Sequence, residues 1–493
     1  KYHISNWLKI TTDPEIIDCI AHCHIEFIDE PCKYSFLGQQ HFNTQQKMII
    51  TTEVEKLLGL GVIELSAHEH GECLSPIFVT PKSDGSFRLI FNLKNCNKAV
   101  LTRHFKMDTL STAISLITPE CFMASLDLKH AYYSIPIARE QQKFLKFMWN
   151  GKLYQFVALP MGLTSSPRIF TKIMKPPLAF LRKMGYTLTG YIDDFLLLGK
   201  DAVECSESID ETVKLFLDLG FTVHQEKSVL RPTQELTFLG FILNSKTMTV
   251  TMSQEKKEKL RALCLEALHT EPLTIRFVAR VIGKIVSSLP GVKFGKLQYR
   301  NLERDKNKYL ALHRGNFEGL MYISPLAKEE LNWWVTNVME VNNVIGSAPF
   351  SHVFQTDASN TGWGIACTTD RAQQTSGIWS QDQAALHINV RELYVVFICL
   401  KTFCKDRQDC HLKFELDNMT AVTYINQMGG SNSYDCDALA RKIWAWCIPK
   451  NIWLSAVHIP GTSNVLADSL SRRYSDHEWM LNKHYFSIIC DIF

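Results

Sequence analysis

Seven acids hold the chemistry this sequence offers, and they fall into two groups. In "TLTGYIDDFLLLGK" (187–200), Asp193 and Asp194 stand side by side within an apolar segment. Two like charges there repel one another and lose hydration unless something compensates. Divalent cations take oxygen ligands and would neutralise the pair. A third carboxylate, Asp127 of "SLDL", lies in similar surroundings. Two magnesium ions about 3.5–4 Å apart, held by such a set, activate an attacking hydroxyl and stabilise a leaving pyrophosphate. An isolated Asp-Asp pair is more simply a capped strand end. The Tyr-x-Asp-Asp context, the apolar flanks and the second Asp-bearing strand favour metal ligation.

The second group is spread along the C-terminal third. "FQTDASNTGWGIA" places Asp357 at the end of a strand, and "NVRELYVVF" places Glu392 in the first turn of a helix. "KFELDNMTAVTYI" puts Asp417 at a strand–helix junction. "VHIPGTSNVLADSLSR" puts Asp468 in a last short helix, with His458 ten residues earlier on the preceding loop. Taken singly, each acid is more simply a helix cap or surface charge, and His458 a loop histidine.

The elements that must position these groups follow from periodicity. Met48, Ile49, Val54, Leu57, Leu58 and Leu60 recur near helical spacing over 47–65. "SPIFVTPKSDGSFRLIFNL" (75–93) reads as a hairpin around Ser83-Asp84-Gly85. Residues 121–137 read as a strand entering a turn. In 159–184 a Gly-containing loop precedes a helix, with Ser166 placed to cap it and Pro167 at its first position. "GYIDDFLLLGK" and "LTFLGFILN" (236–244) read as strands. Amphipathic helices follow at 253–268 and 275–289, and a helical "PLAKEELNWWVTNV" precedes a boundary near Gly346–Pro349. Beyond it the order is strand hairpin (352–368), helix (389–404), strand plus helix (411–428), helix (435–447), strand (452–458) and short helix (463–472).

Bulk properties bound the class. The 493 residues allow roughly two to four domains. The 46% apolar and 21% charged composition is that of a folded protein. Fifteen cysteines without regular spacing imply free thiols in a reducing compartment, hence a cytoplasmic or nuclear location. Cys19, His22, Cys23, His24 and Cys32 match no standard zinc spacing. No apolar run reaches the roughly 18 residues a bilayer requires, so no membrane partner is expected. The start at Lys1 suggests a fragment. Residues 256–315 carry fourteen Lys/Arg against five acids, a local +9, so the rest of the chain is −6. That segment is either a solvated helical face or a track for a polyanion.

The ordered set "PKSDGSFRL", "LDLKHAYYSIPI", "LPMGLTSSPRIF", "YIDD" and "FLGFIL" resembles the palm and fingers of a reverse transcriptase over about 75–245. The resemblance implies that Asp127, Asp193 and Asp194 are metal ligands for DNA synthesis. It implies further that Lys82 and Arg88 grip the triphosphate of an incoming deoxynucleotide, and that Tyr132 excludes the ribose 2′-hydroxyl. Met161 occupies a nucleotide-pocket position where many relatives have Gln. His130, Asn92 and Lys94 also depart from common choices. Asp357, Glu392, Asp417 and Asp468 resemble the D-E-D-D set of ribonuclease H over about 350–473, with His458 where relatives carry a mobile histidine near the second metal.

The expectation is a multidomain α+β chain: a right-hand polymerase, a helical connection and an α/β ribonuclease H-like domain. Its parts would be an extension (1–45), fingers and palm (46–250), a basic thumb and connection (251–349), ribonuclease H (350–473) and a tail (474–493). Two Mg²⁺ per site, with Mn²⁺ as a substitute, an RNA template, a DNA primer, an RNA–DNA hybrid and deoxynucleoside triphosphates are the implied cofactors and partners. "DNMTAVTYINQMGGSNS", "RFVARVIGKIVSSLPGV", "IWAWC" and "HIPGTSNVLADSLSRR" look like retrotransposons of the DIRS type, which pair this module with a tyrosine recombinase; here that recombinase would lie outside the fragment. Gypsy-like elements and pararetroviruses share the last ending. A decayed or domesticated nucleic-acid-binding remnant and a ribonucleotide polymerase are the competing readings. The intact seven acids oppose the first of these, and Tyr132 with the nuclease module opposes the second.

Overall fold

The computed structural model describes residues 3–36, 38, 40–81, 87–346 and 348–472. The chain divides into two compact units, Lys1–Ser253 and Gln254–Phe493. Lys82, the turn at Ser83-Asp84-Gly85 and the tail 474–493 lie outside the described residues.

In the first unit, helix α1 (Pro14–His22) is capped by Asp13, and α2 (Thr44–Gly59) starts in a capping box of Asn43 and Gln46. Strands β1 (Ile77–Pro81) and β2 (Phe87–Phe91) pair antiparallel, as the hairpin reading requires. The central sheet is built from β3 (Phe122–Lys129), β4 (Thr187–Tyr191), β5 (Asp194–Gly199) and β6 (Val229–Thr233), in the order β6-β3-β5-β4 and antiparallel throughout. Helices α3 (Ser166–Lys183) and α4 (Ala202–Asp218) complete this layer. Leu126, Leu128, Phe195 and Leu197 are buried in one core with Phe170 of α3 and Phe216 of α4. Because side chains alternate along a strand, Ser125, Asp127 and Lys129 are left on the opposite, open face.

Three details differ from the sequence reading. The run 236–244 is not one strand but two, β7 (Glu235–Phe238) and β8 (Phe241–Asn244). Leu239 and Gly240 reverse the chain with φ of 49° and 76°, the two positive values that a tight hairpin turn demands. Strand β9 (Thr249–Met252) extends this pair into a meander. Ser166 is the first residue of α3 rather than its cap, and its hydroxyl donates to Pro160 O at 2.9 Å. Residues 1–45 are not merely an appendage: Trp7 is buried, donates from Nε1 to Leu219 O at 3.1 Å and sets its ring edge against Phe221.

The second unit opens with α5 (Gln254–His269), α6 (Ile275–Ser288), α7 (Arg300–Leu312) and α8 (Pro325–Asn337). A mixed sheet follows: β10 (His352–Ala358), β11 (Gly362–Cys367), β12 (Gln374–Ile378), β13 (Cys410–Leu416) and β14 (Ile452–His458). Its order is β12-β11-β10-β13-β14, with β10, β13 and β14 parallel and the other pairs antiparallel. Helices α9 (Ile388–Phe403), α10 (Met419–Asn426), α11 (Tyr434–Cys447) and α12 (Val465–Ser471) complete it. Leu393, Val396, Phe397 and Leu400 of α9 face the core, as their spacing predicts. The helices α5–α8 and this sheet belong to the same compact unit. Glu330 of α8 accepts from the backbone N–H of Asn301 and Leu302 at the start of α7, and pairs with Arg441 of α11 at 2.5 Å. Arg441 also meets Asp437, which holds Arg304 of α7 at 2.6 Å. Glu330 thus satisfies a helix terminus and one guanidinium group, and Asp437 is shared by two guanidinium groups.

Candidate functional site

The register of the central sheet builds the first acid cluster. Asp127 on β3 lies directly opposite Asp194 on β5, and Asp194 is opposite Tyr191 on β4. Directly opposed residues share a face, so both carboxylates point to the open side. The sequence reading placed both acids of the pair in a strand. In the structure Asp193 instead occupies the two-residue turn with Ile192, and its carbonyl accepts from Leu128 N at 2.9 Å. Ile192 adopts φ 59°, a conformation that β-branched residues avoid, at a strain of about 1–3 kcal/mol. Ser228 Oγ accepts from Asp127 N, which fixes β3 at the site.

The electrostatics are those of crowded anions short of a counterion. Burial first, and then the charges of Asp193 and Asp127, push Asp194 up to about 6. Asp193 is raised by burial and by Asp127. Lys227 opposes both shifts. Asp127, Asp193 and Asp194 offer hard oxygen donors of the kind that a divalent cation of the magnesium or manganese type takes.

Beside them lies a cleft of about 500 Å³ lined by Asp127, Asp193, Arg88 and Met161. Among the lining residues that the sequence reading missed are Lys56, Lys129, His224 and Lys227. Lys129 was legible in principle, two residues beyond Asp127 and therefore on the same face. Lys227 carries no local signal. Of the two tyrosines, Tyr133 lines the cleft and stacks with His130 at 5.7 Å. Tyr132 sets its edge against Phe170 at 5.5 Å. Burial, then the charges of Asp193 and Tyr191, push its hydroxyl up to about 12.

The second cluster forms where parallel strands end together. Asp357 near the end of β10 and Asp417 just past β13 meet Glu392 of α9, with one oxygen of each within 4.8 Å of the others. Glu392 is buried, and its Oε2 has no hydrogen-bond partner among the described residues. Desolvation, then Asp357 and Asp417, push Glu392 up to about 9, and burial raises Asp357. An orphaned buried carboxylate oxygen between two other acids fits a divalent cation. Asp468 stands at the rim: its Oδ1 is held by Arg472 at 2.7 Å, while its charge reaches Asp357. His458 is the last residue of β14 rather than a loop residue, exposed, with Nε2 3.1 Å from Asp417 O.

Residues 80–243 match the family described as reverse transcriptase (RNA-dependent DNA polymerase). These residues form a reverse transcriptase domain. Around that domain the likeness extends further. The chain is 26% identical over 219 residues to the Pro-Pol polyprotein of Simian foamy virus type 1, across 44% of this chain and 18% of that protein. It is 22% identical over 476 residues to the enzymatic polyprotein of Cauliflower mosaic virus (strain Strasbourg), across 90% of this chain and 63% of that protein. It therefore spans less than two thirds of either relative. The foamy viral protease-reverse transcriptase solved with an RNA/DNA hybrid superposes with a TM-score of 0.55 at 18% identity, over 94% of this chain and 59% of that one. The same kind of chain solved with dsDNA gives 0.54 at 17% identity, over 88% of each. The fold is thus that of a reverse transcriptase polymerase, mixed α and β, and among the described residues no helix is long and apolar enough to cross a membrane.

Proposed function

We propose that the chain copies RNA and DNA templates into DNA and cleaves the RNA strand of RNA–DNA hybrids. The observation that carries the polymerase half is the register pairing Asp127 with Asp194 beside a cation-lined cleft, within the segment that matches the reverse transcriptase family. The nuclease half is supported by the convergence of Asp357, Glu392 and Asp417 around an unpartnered oxygen. Divalent cations, when bound by these carboxylates, lower the barrier to attack by a hydroxyl and stabilise the leaving oxygen. Arg88, Lys56, Lys129 and Lys227 would hold the triphosphate, and Tyr132 or the cleft-lining Tyr133 would select the deoxyribose. Lys82 would join them. Asp468 and His458 would complete the nuclease site once the Arg472 pairing is exchanged.

The basic helices α5–α7 supply the charge to bind an RNA–DNA hybrid through its phosphates, without reading sequence. The segments "RFVARVIGKIVSSLPGV", "DNMTAVTYINQMGGSNS", "IWAWC" and "HIPGTSNVLADSLSRR" favour an intracellular origin in a DIRS-type retroelement, with a gypsy-like element or a pararetrovirus as the near alternative.

Primer extension on an RNA template with Mg²⁺, comparing dNTPs with NTPs beside Asp194→Asn, tests the polymerase reading. Extension confined to dNTPs and lost in the variant supports it. Hybrid binding without extension or cleavage by the folded wild type would favour the remnant reading.

A further inference from the structure

Helix α12 does more than carry Asp468, and the reason lies in two glycines of β11. A Cβ on Gly364 would come within 2.2 Å of Ala467 O and 2.6 Å of Ser471 N. One on Gly362 would come within 2.9 Å of Ser471 O. The alternation "GWG" therefore clears one face of the strand, and the α12 backbone lies flush against it. Polar bonds then fix the helix along β10. Asn464, fully buried at its start, donates from Nδ2 to Thr356 O at 3.1 Å. Ser359 Oγ donates to Ser471 O at 2.8 Å. Ser471, buried at the end of the helix, directs its Oγ to Asp357 Oδ2 at 2.5 Å.

That last bond is chemically distinct from the others. A serine hydroxyl has one proton. Ser471 Oγ lies between two acceptors, the Asp357 carboxylate and Asp468 O at 2.9 Å. The carboxylate approach is the shorter, so the proton lies there. It occupies one oxygen of Asp357, a carboxylate that also lies in the cluster with Glu392 and Asp417. The unpartnered Oε2 of Glu392 marks where a cation would fall.

We propose that Ser471 is a positioning residue of the second acid site. It orients Asp357 for cation binding, and the glycine face of β11 holds it there. The inference rests on reading that cluster as the cation site of a nuclease.

The test uses the full chain as Ser471→Ala and Ser471→Thr, with circular dichroism melting to establish folding. Mn²⁺ binding without nucleic acid is measured by calorimetry, in an Asp193→Asn/Asp194→Asn background that removes the first cluster. Hybrid cleavage is measured in parallel as a function of Mg²⁺. Removal of an outer hydrogen bond to a ligand weakens metal affinity about 10–100-fold, so Ser471→Ala should weaken Mn²⁺ binding to that extent. The Mg²⁺ half-point for cleavage should rise in step, with KM for the hybrid unchanged. Threonine, which keeps the hydroxyl, should restore both. Mn²⁺ affinity in folded Ser471→Ala within about twofold of its parent would overturn the proposal, as would a rise in hybrid KM with an unchanged Mg²⁺ half-point. If the wild type binds Mn²⁺ at this cluster but cleaves no hybrid, the nuclease reading fails, and the binding arm alone decides the role of Ser471.

Discussion

Glu392→Gln is expected to stabilise the metal-free protein at neutral pH while removing the proposed nuclease activity. The folded-state value of Glu392 is about 9, against 4.5 for the ordinary side chain. Between those limits the folded chain keeps a proton that the unfolded chain has released. Its contribution to stability is therefore complete below the unfolded value and is lost as pH rises toward the folded one. At about pH 7.5, some three units above the unfolded value, about 1.4 kcal/mol per unit gives a loss of about 4 kcal/mol. Glutamine has nearly the same shape and no proton to bind. At roughly 2–4 °C per kcal/mol for a unit of this size, the variant should melt about 8–16 °C higher. The assay is thermal melting with a chelator at intervals between about pH 5 and 9. Other acids titrate in both proteins, so the difference between the two curves isolates Glu392. In an Asp193→Asn/Asp194→Asn background, which removes the first cluster, adding Mg²⁺ should raise the midpoint of the parent and leave the Glu392→Gln protein nearly unmoved, because only the folded parent gains a ligand at the second cluster. Cleavage of hybrids should vanish in the variant. A variant that melts at or below the wild type near neutral pH, or a difference that does not grow with pH, would refute the reasoning.

Asp194→Asn should reduce primer extension by about a thousandfold or more, the several kcal/mol that metal-borne charge stabilisation supplies, with hybrid cleavage retained; a variant that still synthesises DNA would remove the residue from the ligand set. Because Asp194 sits at about 6 in the metal-free protein, protons should compete with cations as pH falls through that value. The Mg²⁺ half-point for synthesis should then rise below about pH 6 and be flat above it, whereas a pH-independent half-point contradicts the shift. Tyr132→Val should raise incorporation of NTPs relative to dNTPs by about 10–100-fold; unchanged selection there, with relaxed selection in Tyr133→Val, would transfer the gate to the tyrosine that lines the cleft. Replacing Arg280 and Lys284 by Gln should lower the slope of log affinity against log salt by about 0.9 for each phosphate no longer neutralised, and an identical slope would make α6 an ordinary solvated face.

What could be read from sequence follows the range of the interaction that creates it. Asp127, Asp193 and Asp194 stand out because acids in apolar strands are rare and carry their own physical contradiction. The cores of α6 and α9 are visible because helical spacing is local. Strand β12 escaped notice: it alternates exposed and half-buried residues, "QTSGI", and its one large apolar side chain, Ile378, is exposed and sets no period. The turn at Leu239–Gly240 was hidden inside an apolar run, where a single Gly is a weak mark and Leu at positive φ gives none. Trp7 is buried against residues more than two hundred positions away, which no local pattern encodes. The same holds for Lys227 at the first cluster, Glu330 under α7, and Ser471 at the second. Met161 does line the cleft, so a departure from the common residue type left its location readable even where its consequence was not.

The two clusters share one construction, and it sets stability against function. In each, strand pairing rather than attraction brings the acids together. Opposed register joins Asp127 to Asp194, and adjacent parallel strand ends join Asp357 to Asp417. Apolar packing on the reverse of each sheet supplies the free energy that holds the like charges there, through Phe195 and Leu197 in one unit and Phe354 and Phe414 in the other. The raised values of Asp194 and Glu392 express lost hydration first and that repulsion second. Each cation-free site is therefore a local weak point that a divalent ion, if bound as proposed, would convert into a cross-link. It follows that neutral substitutions at the acids should stabilise the metal-free fold at both sites. It follows equally that substitutions of the same size at Phe354 or Phe195 should unfold a unit before they touch its chemistry.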